Sequence, residues 1–236
     1  MKIGFTGLNL PEGKVKYEDD VLNALAAKDR PKKVTPYFAE FVCNEFIDCD
    51  AILVGDSSVL DVLITDIEKI EARGNQQSDT DDEMFPDNAD SLIERCLVTL
   101  EAETPLCEMI LNKEEQEMLK SIGVISLKPV VTIKNDIDGN TAISIALSAA
   151  GLSFFYTSGP TESHAWLIEI GSDIVTCAGK IHSELARGFI KGDVVGFDDY
   201  MTYHNFNECR SKGVARLVDA DYIVQDREII EIRAKT

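Results

Sequence analysis

The sequence of 236 residues has no apolar run of about 18 residues, no CxxC pair among six cysteines, only three histidines and one tryptophan. The first absence excludes a membrane-spanning helix by pattern. The start, MKIGFTGLNLPEGK, has no apolar core followed by a small-residue cleavage site, so a cytoplasmic protein is the expectation. Cys43, Cys49, Cys96, Cys107, Cys177 and Cys209 lack metal or redox spacing and are expected to be reduced, mostly buried thiols. His164, His182 and His204 show neither zinc-ligand separations nor a convincing acid–His–nucleophile arrangement, and His182 reads as a packing or capping residue. Positive charge is scarce as well: 23 Lys+Arg face 42 Asp+Glu, a net of −19. The deficit is uneven, with a net of −15 over the first 151 residues and −4 over the rest. Such a surface repels phosphate backbones, which disfavours autonomous nucleic-acid binding. With 44% apolar residues the chain can still bury a substantial core.

What is present begins with Lys2–Thr6, a short strand pattern ending at Gly7, and with helix signals near Tyr17, where Val21, Leu22 and Leu25 share a face. Strand, glycine-bearing turn and helix are the setting of a phosphate loop, G-x-x-x-x-G-K-[ST]. Here five residues, one too many, separate Gly7 from Gly13-Lys14, and Val15 stands where a hydroxyl would hold magnesium. Such a loop wraps phosphate in backbone N–H donors; an extra residue distorts it and Pro11 removes a donor. A turn that keeps only strand–helix packing is expected.

Farther on, Ala51–Val54 is strand-like, and Leu60, Leu63, Ile64, Ile67 and Ile70 make an apolar helical stripe. A second stripe, Leu92, Ile93, Cys96, Leu97 and Leu100, completes a helical hairpin around the polar tip Asn75–Asn88. Asp79, Asp81, Asp82 and Glu83 in that tip have no calcium-loop spacing and read as solvated acids. Asn112 is placed to cap a helix that opens with Glu114 and Glu115, and Pro129–Ile133 reads as a buried strand. Asn135 and Asp138 follow that strand; they suit either base recognition or an ordinary strand-ending turn. Toward the C-terminus, Ile181, Leu185 and Phe189 fall at i, i+4, i+8, as in one small helix. Gly179 precedes that helix, and Gly188 and Gly192 lie near its end, suited to a left-handed exit. A strand over Asp193–Phe197 follows. Trp166 is expected in the core, and at least one ring of Phe154, Phe155 and Tyr156 should face outward on a strand of period two.

Three of these segments, Gly151–Gly171, Cys177–Asp199 and Asp221–Arg233, resemble the C-terminal TGS domain, a small β-grasp module, of the Obg-like ATPase family often called YchF. PKKVTPYFAEFVC (31–43) resembles the third strand of that family's G domain. Leu111–Asp136 resembles the approach to its fifth strand and base motif, where the family has Asn-x-x-Glu and this chain has Asn135 and Asp138. The departures are as informative. Only Ala26–Arg30 stands in place of a long switch I, and Cys43 replaces the Asp of Asp-x-x-Gly. The switch II loop, the sixth strand and the Ser-Ala-Lys loop are missing.

The resemblance implies an α/β fold in two domains. Residues 1–150 would be a degenerate Obg-like G domain, a reduced P-loop-type parallel sheet with a helical hairpin insertion over about 59–122. Its strands should lie near 2–6, 34–42, 51–54 and 129–134, the first central, burying Ile3, Phe5, Phe41, Leu53, Val130 and Val131. Residues 151–236 would be a TGS-like β-grasp domain. The implied function is that of a non-hydrolysing homologue acting as a binding or regulatory protein through its TGS domain, with a protein partner associated with translation or the ribosome. No membrane, metal site, catalytic residue or cofactor is expected. The alternative is a nucleotide-binding protein with weak ATPase activity, taking ATP or GTP with magnesium through Gly7, Gly13, Lys14, Asn135 and Asp138.

Overall fold

The computed structural model describes residues 1–77 and 89–235. In chain order it runs β1 (Lys2–Thr6), β2 (Gly13–Lys16), α1 (Asp20–Asp29), β3 (Lys33–Thr35), β4 (Phe38–Cys43) and β5 (Ala51–Gly55). Next come α2 (Val59–Gln77), α3 (Ala89–Glu101), a 3-10 turn at Leu106–Glu108, α4 (Lys113–Ile122), β6 (Val130–Ile133) and α5 (Gly139–Ala149). The remainder is β7 (Leu152–Ser158), β8 (Glu162–Glu169), α6 (Ile174–Ile181), α7 (Ser183–Arg187), β9 (Phe189–Gly196), α8 (Phe197–Thr202), α9 (Phe206–Ser211), β10 (Arg216–Val218) and β11 (Glu228–Ala234). Two compact units result, Met1–Val15 with Ala39–Ala150 and Lys16–Phe38 with Gly151–Thr236.

The first unit holds a five-stranded sheet, ordered β2-β4-β1-β5-β6. β1 is central and parallel to β4 and β5, with Ile3 opposite Phe41 and Ala51, and β5 is parallel to β6. Ile3, Phe5, Phe41 and Leu53 are buried as expected. Val130 and Val131 are only half-buried, because β6 ends the sheet and is not covered by a further strand. On α2 the buried stripe is Val59, Val62, Leu63 and Ile70, whereas Leu60 and Ile64 of the expected stripe face solvent. Leu92, Ile93, Cys96 and Leu100 of α3 join the same core. Buried Asp66 of α2 accepts the backbone N–H groups of Ile125 (2.8 Å) and Ser126 (2.7 Å), so no donor there is orphaned. Asn112 and Glu115 make a reciprocal capping box at the start of α4. The acids Asp79–Glu83 lie outside the described residues.

A second sheet, ordered β10-β9-β11-β7-β8-β3, forms the other unit. β7 and β8 form an antiparallel hairpin, β11 lies parallel to β7, and β9 is antiparallel to β11. That is the strand order of a β-grasp. The strand expected over 34–42 is in fact two: Pro36, which cannot donate to a ladder, separates β3 from β4, and they enter different sheets. The segment 16–38 therefore packs with the C-terminal residues and supplies α1, capped by Asp19, which buries Val21, Leu22 and Leu25. It also explains the three rings in a row. Phe154, Phe155 and Tyr156 are all buried, because Phe155 faces the core beside Ile168 and Cys177 while Tyr17 stacks on Phe154 and Tyr156 donates to Asp19 (2.8 Å). The expected outward ring does not exist. Trp166 is half-buried at the rim of that core.

The single small helix expected around Ile181 is two, broken at His182, whose extended backbone (φ −163°, ψ 137°) ends α6 and caps α7. Phe189 already belongs to β9. Gly188 and Gly192 do not supply a left-handed exit. A side chain at Gly188 would strike the Lys235 backbone, and one at Gly192 would strike Ile174 of α6, so close approach explains both glycines. All six cysteines are free, and burial pushes the Cys96 thiol up to about 11 and Cys177 to about 12. Among the described residues no helix is long and apolar enough to cross a membrane.

Candidate functional site

In open parallel sheets ligands bind outside the carboxyl ends of the strands. In the first unit those ends are Gly7, Asn44, Asp56 and the turn after β6. A phosphate loop there works because it opens a helix, whose first N–H groups and dipole face the anion. Here the chain after Gly7 enters β2, next to β4 at the sheet edge, and no helix of the first unit follows it. The expectation of strand–helix packing after the turn is corrected accordingly: α1 belongs to the other unit. Gly7 has φ +66° and lies against Ser58 and Gly55: a side chain at Gly7 would strike the Ser58 hydroxymethyl group, and one at Gly55 would strike the Gly7 carbonyl. Gly13 and Lys14 are exposed on β2.

At the other end, Asn135 is exposed in the bend after β6, and Asp138 caps α5. The Asp138 carboxylate accepts the backbone N–H of Thr141 (2.9 Å) and its hydroxyl (3.1 Å), and these bonds hold it below the usual carboxylate range. One acceptor position on each Asp138 oxygen is thereby given to the cap, and the exposed carboxylate keeps its remaining ones. A Cβ built at Gly139 would meet Pro11 and Val15 at 3.6 Å. The segment bearing Gly13 and Lys14 thus lies directly against the turn bearing Asp138. The structure places the two segments that carry the candidate nucleotide residues side by side. Cys43 ends β4 half-buried, and among the described residues no three metal-ligating side chains gather.

Two cavities accompany these elements. One of about 760 Å³ lies in the first unit, between α2 and the connection from β4 to β5. A second, of about 630 Å³, lies in the other unit around Lys28, Asp29, Tyr200 and His204. There Asp29 accepts the hydroxyls of Tyr200 (2.7 Å) and Ser158 (2.6 Å) and pairs with Lys28 (3.3 Å), whose ammonium sits 3.7 Å over the Tyr200 ring. Burial and that carboxylate push the Tyr200 phenol well above its usual value. Sequence reasoning missed this cluster, since Asp29 and Tyr200 are far apart in the chain and neither sits in a motif.

The fold is an α/β one, a unit built on parallel strands and a unit with the β-grasp strand order. Comparison with known proteins agrees. Residues 152–235 match the family model YchF-GTPase_C, described as a protein of unknown function (DUF933). The chain is 35% identical over 94 residues to Obg-like ATPase 1 of Rattus norvegicus, covering 40% of this chain and 24% of that one. It is 30% identical over 122 residues to the ribosome-binding ATPase YchF of Haemophilus influenzae, covering 52% and 31%. It superposes on the Schizosaccharomyces pombe YchF GTPase structure with a TM-score of 0.79 at 16% identity, over 99% of this chain and 97% of that one. The chain is thus similar to YchF and Obg-like ATPases, and it spans only about a quarter to a third of the length of these curated relatives.

Proposed function

We propose that the protein is a non-hydrolysing YchF/Obg-like homologue that acts as a binding or regulatory protein through its C-terminal β-grasp, TGS-type domain, in the cytoplasm and in association with translation. One observation supports the first half of this reading: the turn after β1 leads into an exposed edge strand and does not itself open a helix, so Lys14 does not stand in a strand–loop–helix phosphate nest. Phosphoryl transfer depends almost wholly on positioned charge and metal, and Val15 and Cys43 offer no oxygen where such ligands would stand. The strand order of the C-terminal unit and its match to the family model support the second half, and relatives of this chain are named ribosome-binding.

The test is a hydrolysis assay with ATP and GTP, each with magnesium, on the wild-type chain and Lys14→Ala. Background rates in both are expected. Turnover in the wild type that Lys14→Ala abolishes would establish the alternative, a nucleotide binder with weak ATPase activity. Co-sedimentation with ribosomes, with and without the surface variant Arg227→Glu on the β-grasp unit, addresses the partner.

A further inference from the structure

A parallel crossover within one sheet ordinarily takes a dozen or more residues, most of them in a helix lying on the sheet. β4 and β5 flank β1 in one sheet, yet only the seven residues Asn44 to Asp50 join them, without a helix. This connection lies straight on β1. A Cβ at Gly4 would stand 2.9 Å from both the Glu45 carbonyl oxygen and the Phe46 ring. The connection is also well fixed. Lys128 donates to the carbonyls of Phe46 (2.8 Å) and Ile47, the Cys49 thiol donates to the Glu45 carbonyl (3.1 Å), and the Lys2 N–H donates to Asp50 (2.7 Å).

What remains beside it is an open groove of about 760 Å³, on the face of β1 that carries Lys2 and Thr6. Residues 44–48 wall one side, Asp61 and Thr65 of α2 the other. Glu45, Asp48 and Asp61 are exposed along it, against Lys2 in the lining and Lys128, whose ammonium is engaged by the carbonyls of Phe46 and Ile47. On α2, Leu60 and Ile64, each one residue before a lining residue and outside the lining itself, are 41% and 49% exposed, and in the opposite wall Ile47 is 77% exposed. Apolar side chains bordered by carboxylates, along a groove where a crossover helix would run, are complementary to a helix with one apolar face and a cationic margin.

We propose that this groove docks an amphipathic, lysine- or arginine-rich helix of a protein partner. Its apolar face meets Ile47, Leu60 and Ile64, and its cations meet Glu45, Asp48 and Asp61. A second copy of this chain is a poor occupant, because it brings a net charge of −19 to an acidic groove. The site is separate from whatever the C-terminal unit binds, so the two readings fail independently.

The full chain would be titrated with three synthetic peptides: an amphipathic leucine–lysine helix, the same residues in scrambled order, and a leucine–glutamate counterpart. Only the first should bind, shifting the backbone amide resonances of residues 44–48 and 60–65. Leu60→Ser with Ile64→Ser, both exposed and so compatible with folding, should weaken it about tenfold or more. Asp48→Asn with Asp61→Asn should do likewise, while Glu114→Gln with Glu117→Gln on α4, an equal loss of charge, should change it less than about twofold. Equal binding of the scrambled peptide, equal loss in the α4 variant, or indifference to Leu60 and Ile64 would overturn the proposal. So would a concentration-dependent dimer, seen by sedimentation, that Ile47→Ser dissolves.

Discussion

Both units must cover two faces of a sheet, and they do it in opposite ways. In the C-terminal unit one face is covered by α6, over Phe155, Ile168 and Val194. The other is covered by α1, from residues 16–38, more than a hundred positions away in sequence. That unit also pairs its buried carboxylates Asp193 and Glu228, although the buried Arg210 Nε has no hydrogen-bond partner. Asp193 is held by Arg233 (2.6 and 2.9 Å) and Arg210 (3.0 Å), and Glu228 by Arg216 (2.5 Å), Tyr222 (2.7 Å) and the Gln225 N–H (2.9 Å). The first unit instead lets a bare connection rest on a glycine and leaves carboxylates along an open groove. The lesson is that a sheet can do without a crossover helix where a glycine lets backbone lie directly on it.

The largest expected effect tests which unit owns residues 16–38. Leu25 is fully buried on α1, and Leu25→Ala should cost about 3 kcal/mol by lost burial and a residual cavity. Hydrogen exchange should show the loss in β7, β8 and β11, with the amides of β1 and β5 unchanged. Equal deprotection of β1 would mean that residues 16–38 support the first unit.

Next in size is Gly4→Ala. The added methyl meets the Glu45 carbonyl and Phe46 at contact distances that demand a shift, so destabilisation of about 1–3 kcal/mol is expected, confined to the first unit. A neutral outcome in thermal unfolding would show that the connection lifts freely off β1.

The sequence made the two kinds of unit readable to different depths. Parallel strands at residues 2–6 and 51–55 and the helical stripe of α3 stand out because their apolar patterns are continuous and local. The missing switch II loop was legible too, as Cys43 followed at once by NEFIDCD, but that stretch reads as the tail of a helix and the structure has none there. The place of α1 was not. Val21, Leu22 and Leu25 define a helix and its buried face, but nothing local says which sheet that face meets. Pro36 was the one available signal that β3 and β4 part company. Likewise Asp138 fits a base motif and a helix cap equally well by spacing, and only the structure shows the bonds to Thr141 that make it a cap.

A smaller effect concerns acid. Burial alone would raise the Asp193 carboxyl, but the bonds from Arg233 and Arg210 prevail and hold it below the usual carboxylate range. A depressed folded value means stability that is present above the unfolded value, near pH 4, and is lost as pH falls through the folded one. In Asp193→Asn the C-terminal unit should start less stable at pH 7 and lose less on acidification below about pH 4. A wild-type unit whose melting point drops no more steeply in acid than the variant's would remove Asp193 from the account.

The smallest effect is expected from nucleotides, and it bears on the eroded unit alone. A triphosphate would find no nest at Gly13 and Lys14, which lie exposed on β2, and a net charge of −15 over the first 151 residues lowers its local concentration. At the base end Asn135 is accessible, but Asp138 is engaged by Thr141, and Pro11 and Val15 pack on the next residue. One side chain pairing with a base in open solvent contributes about 1 kcal/mol before ordering costs, so affinity should be no tighter than roughly millimolar. Adenosine and ATP should then bind alike, and magnesium should change neither. Calorimetry with both ligands, with and without magnesium, measures this directly. Micromolar ATP binding that adenosine does not match, and that Lys14→Ala removes, would mean that the turn after β1 still holds phosphate and that the contrast between the two units has been drawn too sharply.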